Sequence, residues 1–396
     1  MELQLRANQC IAQGSLTNSR HPRSFVKGVY PTHITNSQGC HVWGNDNKKY
    51  IDFICGLGTN LLGYGNPIVA NEIGKYLHHG YCPSLGTQHE IEAAETLKEL
   101  VPFIERVKWV KTGSEACSAA VKFARAFTGR NWVLSQGYHG WHQEFNSLIP
   151  PAKGCVKAKN IFNFEYTKID RQTAAVIIEP VNLDWSEETK YHLKTIRKRC
   201  YETGTLLIFD EVITGARFKK FCVANYYDIQ PDLIIFGKAI GNGLPIACVA
   251  GRKDILDNQE VFVSSTYGPE ILSLISTKTV LKTIMKKPDY SIKNLWMVGK
   301  EFYDNFNKLH PNSIQLTGYP TRGVFTGNDN AIALLFQEAC HAGILFGKSW
   351  FISYPHIEYM KQVFDIVGNI VRQIKLGKIK LEGDKPTSPF SFKARE

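Results

Sequence analysis

Between Trp109 and Gly251 the chain repeats one pattern: a short run of apolar residues, a stretch with helical spacing, then another apolar run. The runs read VKWV, NWVL, AAVIIEP, LLIFDE, LIIFG and IACVAG. A strand that is apolar on both faces must be covered on both, and parallel strands need a long crossover between them. The pattern therefore predicts an α/β fold with a mostly parallel sheet flanked by helices. A chain of 396 residues exceeds the usual span of one core, so a second, smaller domain is expected beside the sheet.

Residues 46–285 are read as the large domain and 286–396 as a smaller α+β C-terminal domain, with 1–45 as an N-terminal segment contributing to the smaller domain and to the active site. His41 to Phe53 alternates around an Asn-Asp-Asn turn and predicts a hairpin, followed by a glycine-rich loop from Gly56 to Gly65. Helical spacing covers Glu90 to Leu100 and Ala116 to Thr128, the second stopped by Gly129. Ser273 to Met285 reads as a long helix leading away from the sheet. Strand signals return at Thr317 to Phe325 and Ile344 to Ser353, and Gly383 to Glu396 reads as a surface extension.

Composition narrows the class. The 43% hydrophobic and 21% charged fractions are those of an ordinary globular protein. No uncharged apolar run approaches the roughly 18 residues that span a bilayer, and the first twenty residues carry no leader pattern, so a cytoplasmic protein without membrane contact is expected. Ten cysteines from Cys10 to Cys340 include no C-x-x-C pair, so they read as reduced packing residues and no metal site is expected. The net charge of +11 could attract phosphates or nucleic acid. Its basic residues are dispersed in groups such as Lys194, Arg197, Lys198 and Arg199, which does not form a nucleic-acid-binding arm.

Three segments end in polar residues where α/β sheets place ligands, beyond the carboxyl ends of the strands. LLIFDEVITG delivers Asp210 and Glu211, although an Asp after a strand equally serves as a helix cap. PDLIIFGKAIGNGLP presents Lys238 at a strand end hemmed by Gly237, Gly241 and Gly243, where burial would lower the amine's pKa and permit Schiff-base chemistry. VKTGSEACSAAVKFARAFTGR opens a helix near Ser114, where the N–H groups of Gly113, Ser114 and Glu115 could hold an anion; an ordinary Ser cap with Glu115 in the first turn would look the same.

Taken together, with YHGWH, IIEP and SSTYG in the same order and spacing, these segments resemble the class III (subgroup II) pyridoxal-phosphate (PLP)-dependent aminotransferases of fold type I over nearly the whole chain, with glutamate-1-semialdehyde aminomutase-like proteins the nearest group. The resemblance implies the PLP-dependent transferase fold type I and the cofactor pyridoxal 5′-phosphate. It implies that Lys238 carries the cofactor as a Schiff base and then moves the proton, and that Asp210 pairs with the pyridinium nitrogen. Gly113 and Ser114 would hold the phosphate, while Tyr138 and Val212 would enclose the ring. Thr266 would reach the cofactor of a neighbouring subunit, so a homodimer with shared sites is implied. Glu179 would lie near cofactor and substrate or simply end its strand, and His139 would support Tyr138. Trp141 and His142 would line the substrate mouth. Arg23 of PRSFVKG would hold a substrate carboxylate, or be a plain surface arginine.

Two departures bear on the reaction. The stretch from Trp141 to Asn163 is shorter than the aminomutase gating loop, and Pro269 and Glu270 stand where relatives carry Gly-Asn or Asn-Pro. The resemblance thus implies transfer of an amino group from a small-molecule donor to a ketone or aldehyde, with an intramolecular aminomutase as the alternative. A racemase, a binding module that kept the fold, and a PLP enzyme acting on nucleotide or nucleic acid are the further readings.

Overall fold

A computed structural model describes residues 2–309 and 313–387, so the end of the expected tail, 388–396, lies outside the described residues. The chain forms two compact units. One takes in the N-terminal residues up to Gly58, Leu62–Asn66 and the residues from Asn294 on; the other comprises Thr59–Leu61 and Pro67–Lys293.

In the first unit Ile34–Gln38 (β1), His41–Gly44 (β2) and Lys49–Asp52 (β3) pair antiparallel, with Asn47 at φ 64° in the turn between β2 and β3. Asn tolerates the left-handed region because its side chain can bond locally. Ile344–Leu345 adds in parallel to β3, which groups this hairpin with the C-terminal residues. Ile314–Tyr319, Arg322–Gly327 and Ser349–Phe351 form a second antiparallel sheet. The first residues of the tail are tied back to the N-terminal segment: Asp384 N–H donates to the Lys27 carbonyl at 3.1 Å and Thr387 N–H to the Arg23 carbonyl at 2.7 Å.

The second unit holds a seven-stranded sheet built from Arg106–Val110 (β4), Trp132–Gln136 (β5), Ile161–Asn163 (β6), Thr173–Ile178 (β7), Leu206–Asp210 (β8), Leu233–Gly237 (β9) and Ala247–Gly251 (β10). Its order is β4-β10-β9-β8-β7-β5-β6, and β9 through β6 are parallel while β10 runs antiparallel to both its neighbours. Every residue of β7, β8, β9 and β10 is buried, as strands covered on both faces must be. The helix Gly113–Thr128 lies on this sheet and buries Ala116, Ala120, Val121 and Ala124. The helix Ile271–Lys286, expected to lead away, packs along the helix Gln88–Leu100 of the same unit, because apolar side chains on most of its faces need cover. Among the described residues no helix is long and apolar enough to cross a membrane.

Candidate active site

The parallel strands β7, β8 and β9 end side by side, and each apolar run stops at a charged or polar residue: Glu179, Asp210 and Lys238. Asp210 is 5% exposed and carries donors on both carboxylate oxygens. Its Oδ1 accepts the Val212 N–H at 3.1 Å. Its Oδ2 lies 2.8 Å from His139 Nδ1 and 3.3 Å from the Cys117 thiol, which donates to it. An ionised carboxylate only accepts, so His139 Nδ1 carries the hydrogen of this contact, while Nε2 is buried with no hydrogen-bond partner among the described residues. Three donors thus converge on one buried carboxylate.

Val212, two residues on, is wedged between two glycines. A Cβ on Gly113 would come within 3.1 Å of Val212 Cγ2, and one on Gly237 within 3.5 Å of Val212 Cγ1. Gly237 ends β9 and hands the chain to Lys238, which is half-buried and held at φ 48°, in the left-handed region that non-glycine residues rarely occupy. The Lys238 ammonium is close enough to act on the Cys117 thiol, partly offsetting the upward push that burial and the Asp210 charge give that thiol.

The helix Gly113–Thr128 begins two residues earlier than a Ser114 cap would set it. Thr112 is the cap: its Oγ1 accepts the Glu115 N–H at 3.2 Å, and Glu115 Oε2 returns bonds from the N–H groups of Lys111 and Thr112 at 2.8 and 2.9 Å. The Glu115 N–H is therefore taken, against the expectation that it would help hold an anion. The N–H groups of Gly113 and Ser114 keep no acceptor among the described residues and point from the positive end of a 16-residue helix.

The loop after β5 folds over that helix start. Tyr138 N–H donates to Glu179 Oε2 at 3.0 Å, and Trp141 N–H to Ser114 Oγ at 3.3 Å. Gly140, at φ 99°, passes so near Ser114 that a Cβ would sit 2.2 Å from its Oγ. Burial raises the Tyr138 hydroxyl pKa, and the charges of Asp210 and Glu179 add to the rise. The ring stays 42% exposed on the open side, and Trp141 is 70% exposed with His142 edge-on to it at 5.1 Å. Ser118 bonds to His142 Nδ1 at 2.8 Å and to the Glu144 carboxylate, which fastens this loop to the helix.

Thr266 is exposed, on a segment fixed from both ends. Ser265 Oγ reaches Glu115 Oε1 at 3.5 Å, and Glu270 pairs with Lys111 at 3.0 Å. Glu270 also caps the helix Ile271–Lys286 through the N–H groups of Leu272 and Ser273. Burial would raise the Glu270 pKa, but hydrogen bonds from Ser273 and Lys111 hold it below the usual value. The departure noted at this position is thus a helix cap with a half-buried cation as its partner. Arg23 belongs to the other unit, where its Nη2 meets Asn18 Oδ1 at 3.4 Å.

The structure therefore brings together Gly113, Ser114, Tyr138, Glu179, Asp210, Val212 and Lys238. His139, expected to support Tyr138, supports Asp210. Cys117, read as a packing residue, touches Asp210 as well. One sequence signal pointed to it: Cys117 lies four residues after Gly113, hence on the same helix face. The set fits a flat, phosphorylated pyridine: two free N–H groups for the phosphate, a buried carboxylate for the ring nitrogen, glycines that let Val212 form a wall, and an amine at the neighbouring strand end.

The family model described as Aminotransferase class-III matches residues 25–155 and 144–350. Glutamate-1-semialdehyde 2,1-aminomutase 1 of Lachnoclostridium phytofermentans is 32% identical over 296 residues, 67% of this chain and 69% of that protein. The 3-aminobutyryl-CoA aminotransferase of Cloacimonas acidaminovorans is 31% identical over 295 residues, 69% of this chain and 70% of that protein. In fold, the chain is similar to the FumI protein of Sphingopyxis sp. MTA144, solved in its PLP internal aldimine form, with a TM-score of 0.87 at 22% identity over 96% of this chain and 98% of that one. An omega-transaminase from Sphaerobacter thermophilus follows at TM-score 0.83, 20% identity, and 94% and 97% coverage.

Proposed function

We propose, for a chain that belongs to the class III aminotransferases and so works on amino groups with pyridoxal 5′-phosphate, that Lys238 is the residue that holds the cofactor and moves the proton. Bound there, the cofactor supplies an electron sink that stabilises negative charge on the substrate carbon. Everything else falls to the protein. Asp210 keeps a proton on the ring nitrogen, which requires Asp210 to stay charged; His139, Cys117 and the Val212 N–H, all donating to it, support that role. This arrangement of donors on one buried carboxylate carries the reading.

Gly113 and Ser114 hold the phosphate through their N–H groups and the helix dipole. Val212 and Tyr138 form the two walls of the ring site and keep water from it. Glu179 orients the wall by fixing the Tyr138 backbone. The Lys238 amine, at the strand end beside Asp210, would be the base that takes the proton from the substrate carbon and the acid that gives it back.

The reaction class follows as amino transfer from a small-molecule donor to a ketone or aldehyde. An intramolecular aminomutase uses the same residues. The first reading is supported by the short segment from Trp141 to Asn163 and by a Trp141 side chain that leaves the mouth open on this unit. Arg23 is the proposed carboxylate ligand of the substrate and Trp141 part of the mouth.

A second copy of this chain is the proposed partner. Thr266 lines an open groove of about 760 Å³ together with Ile91, Ala94 and Trp109. Ile91 is 61% exposed, and Leu77, Tyr81 and Leu85 nearby in sequence also present large apolar surface. A homodimer would cover these and carry Thr266 to the neighbouring phosphate. No two of the ten cysteines are joined in a disulfide, and a cytoplasmic setting is the proposed one.

The test is the visible absorption of the purified protein before and after glutamate, alanine, diamines or amino sugars. A yellow band that bleaches with one donor, then returns on adding a carbonyl acceptor, supports transamination through Lys238. Full turnover of one aminoaldehyde with no acceptor present supports the aminomutase. A protein that stays colourless with added PLP overturns both.

A further inference from the structure

We infer that Cys117 is a positioning residue for Asp210, its thiol setting how strongly the carboxylate competes for the proton on the cofactor's ring nitrogen. The inference rests on the role proposed for Asp210.

Other thiols in the chain donate to backbone carbonyls: Cys55 to Asp52 and Phe351, Cys82 to Thr266, Cys340 to Val29. Cys117 instead donates to a carboxylate, Asp210 Oδ2, at 3.3 Å, and both side chains are buried. The same oxygen already receives His139 Nδ1 at 2.8 Å, so the thiol is a second donor on one atom, while the Val212 N–H occupies Oδ1. The groups facing the thiol are Asp210, His139, Glu179, Tyr138 and Lys238. Burial and the Asp210 charge push the Cys117 thiol pKa up, so it remains S–H and a donor throughout the working pH range. His139 alone could lose its bond if its hydrogen moved to Nε2; a thiol has no second place to put its proton.

The consequence is electrostatic. Each donor draws charge from the carboxylate and lowers its proton affinity, so the shared proton stays on the ring nitrogen. Removing the thiol makes Asp210 more basic, the proton moves toward it, and the positive charge on the ring falls. The ring then withdraws less from the neighbouring nitrogen at Lys238, which holds its own proton to higher pH.

Three variants test this on the loaded protein: Cys117→Val, which removes the donor at similar size, Cys117→Ala, which removes it at smaller size, and Cys117→Ser, which keeps a hydroxyl donor. The pH midpoint of the visible band is expected to rise in Val and Ala by roughly half a unit or more, and to stay near wild type in Ser. A merely structural role predicts loss of melting temperature in all three with an unmoved midpoint, and that result overturns the inference; should Val fail to fold, Ala carries the same expectation. Infrared difference spectra of the unloaded wild type against Cys117→Ala add a readout that needs no cofactor: a broadened, lowered S–H stretch that vanishes with the substitution supports the contact, and a free-thiol band overturns it. Absence of any visible band in wild type would overturn the cofactor role and this inference together, whereas an unmoved midpoint in a coloured protein overturns only the inference.

Discussion

Asp210 and Trp141 lie at opposite extremes of the same unit. Asp210 is 5% exposed and has donors on both oxygens, drawn from the loop after β5, the Gly113 helix and the Val212 N–H two residues on. Trp141 is 70% exposed, with its ring set edge-to-face against His142. The floor of the site is over-determined and the rim is not. A ring nitrogen asks the same of every substrate, so its partner can be locked; a mouth that admits one donor and one acceptor in turn has to leave room.

Substitutions should accordingly lose their effect from floor to rim. Lys238→Ala should abolish turnover and the yellow colour, read by absorbance and by single-turnover amino transfer. Asp210→Asn keeps the shape and removes the charge, so colour should persist while kcat falls on the order of 10²–10³-fold, as when a charge-stabilising group is lost; normal turnover would break the comparison at its strongest point. Gly113→Ala pushes a methyl against Val212 at 3.1 and 3.2 Å, with expected loss of about 1–3 kcal/mol on thermal or urea unfolding and weaker cofactor retention by dialysis. At the rim, Trp141→Ala should change stability by no more than about 0.5 kcal/mol and act on KM for the carbonyl acceptor, with kcat for a small donor unchanged. A collapse in kcat there would mean that the rim belongs to the floor.

The strand pattern made most of the sheet legible, because buried parallel strands are written as plain apolar runs. Two things escaped. Ile161–Asn163 is three residues long, too short for a periodic signal, and β10 is antiparallel, although a strand buried on both faces reads the same in either direction. In the site, Asp210, Lys238 and Glu179 were legible because each ends an apolar run. The partners of Asp210 were not: His139 and Cys117 lie 71 and 93 residues away and meet it through the crossing order of the sheet. The fate of the Glu115 N–H was readable, since Thr112 and Glu115 stand at the spacing of a capping box, but Ser114 offered a competing cap two residues on.

The backbone of Lys238 sets a cost on the amine it carries. A side chain at φ 48° is tolerated there, and glycine would be at ease. Lys238→Gly should therefore unfold later than Lys238→Ala, by about 1 kcal/mol, although both lack the amine. The amine is thus carried on a backbone that glycine would occupy at lower cost, so at this one position reactivity and thermal durability pull in opposite directions.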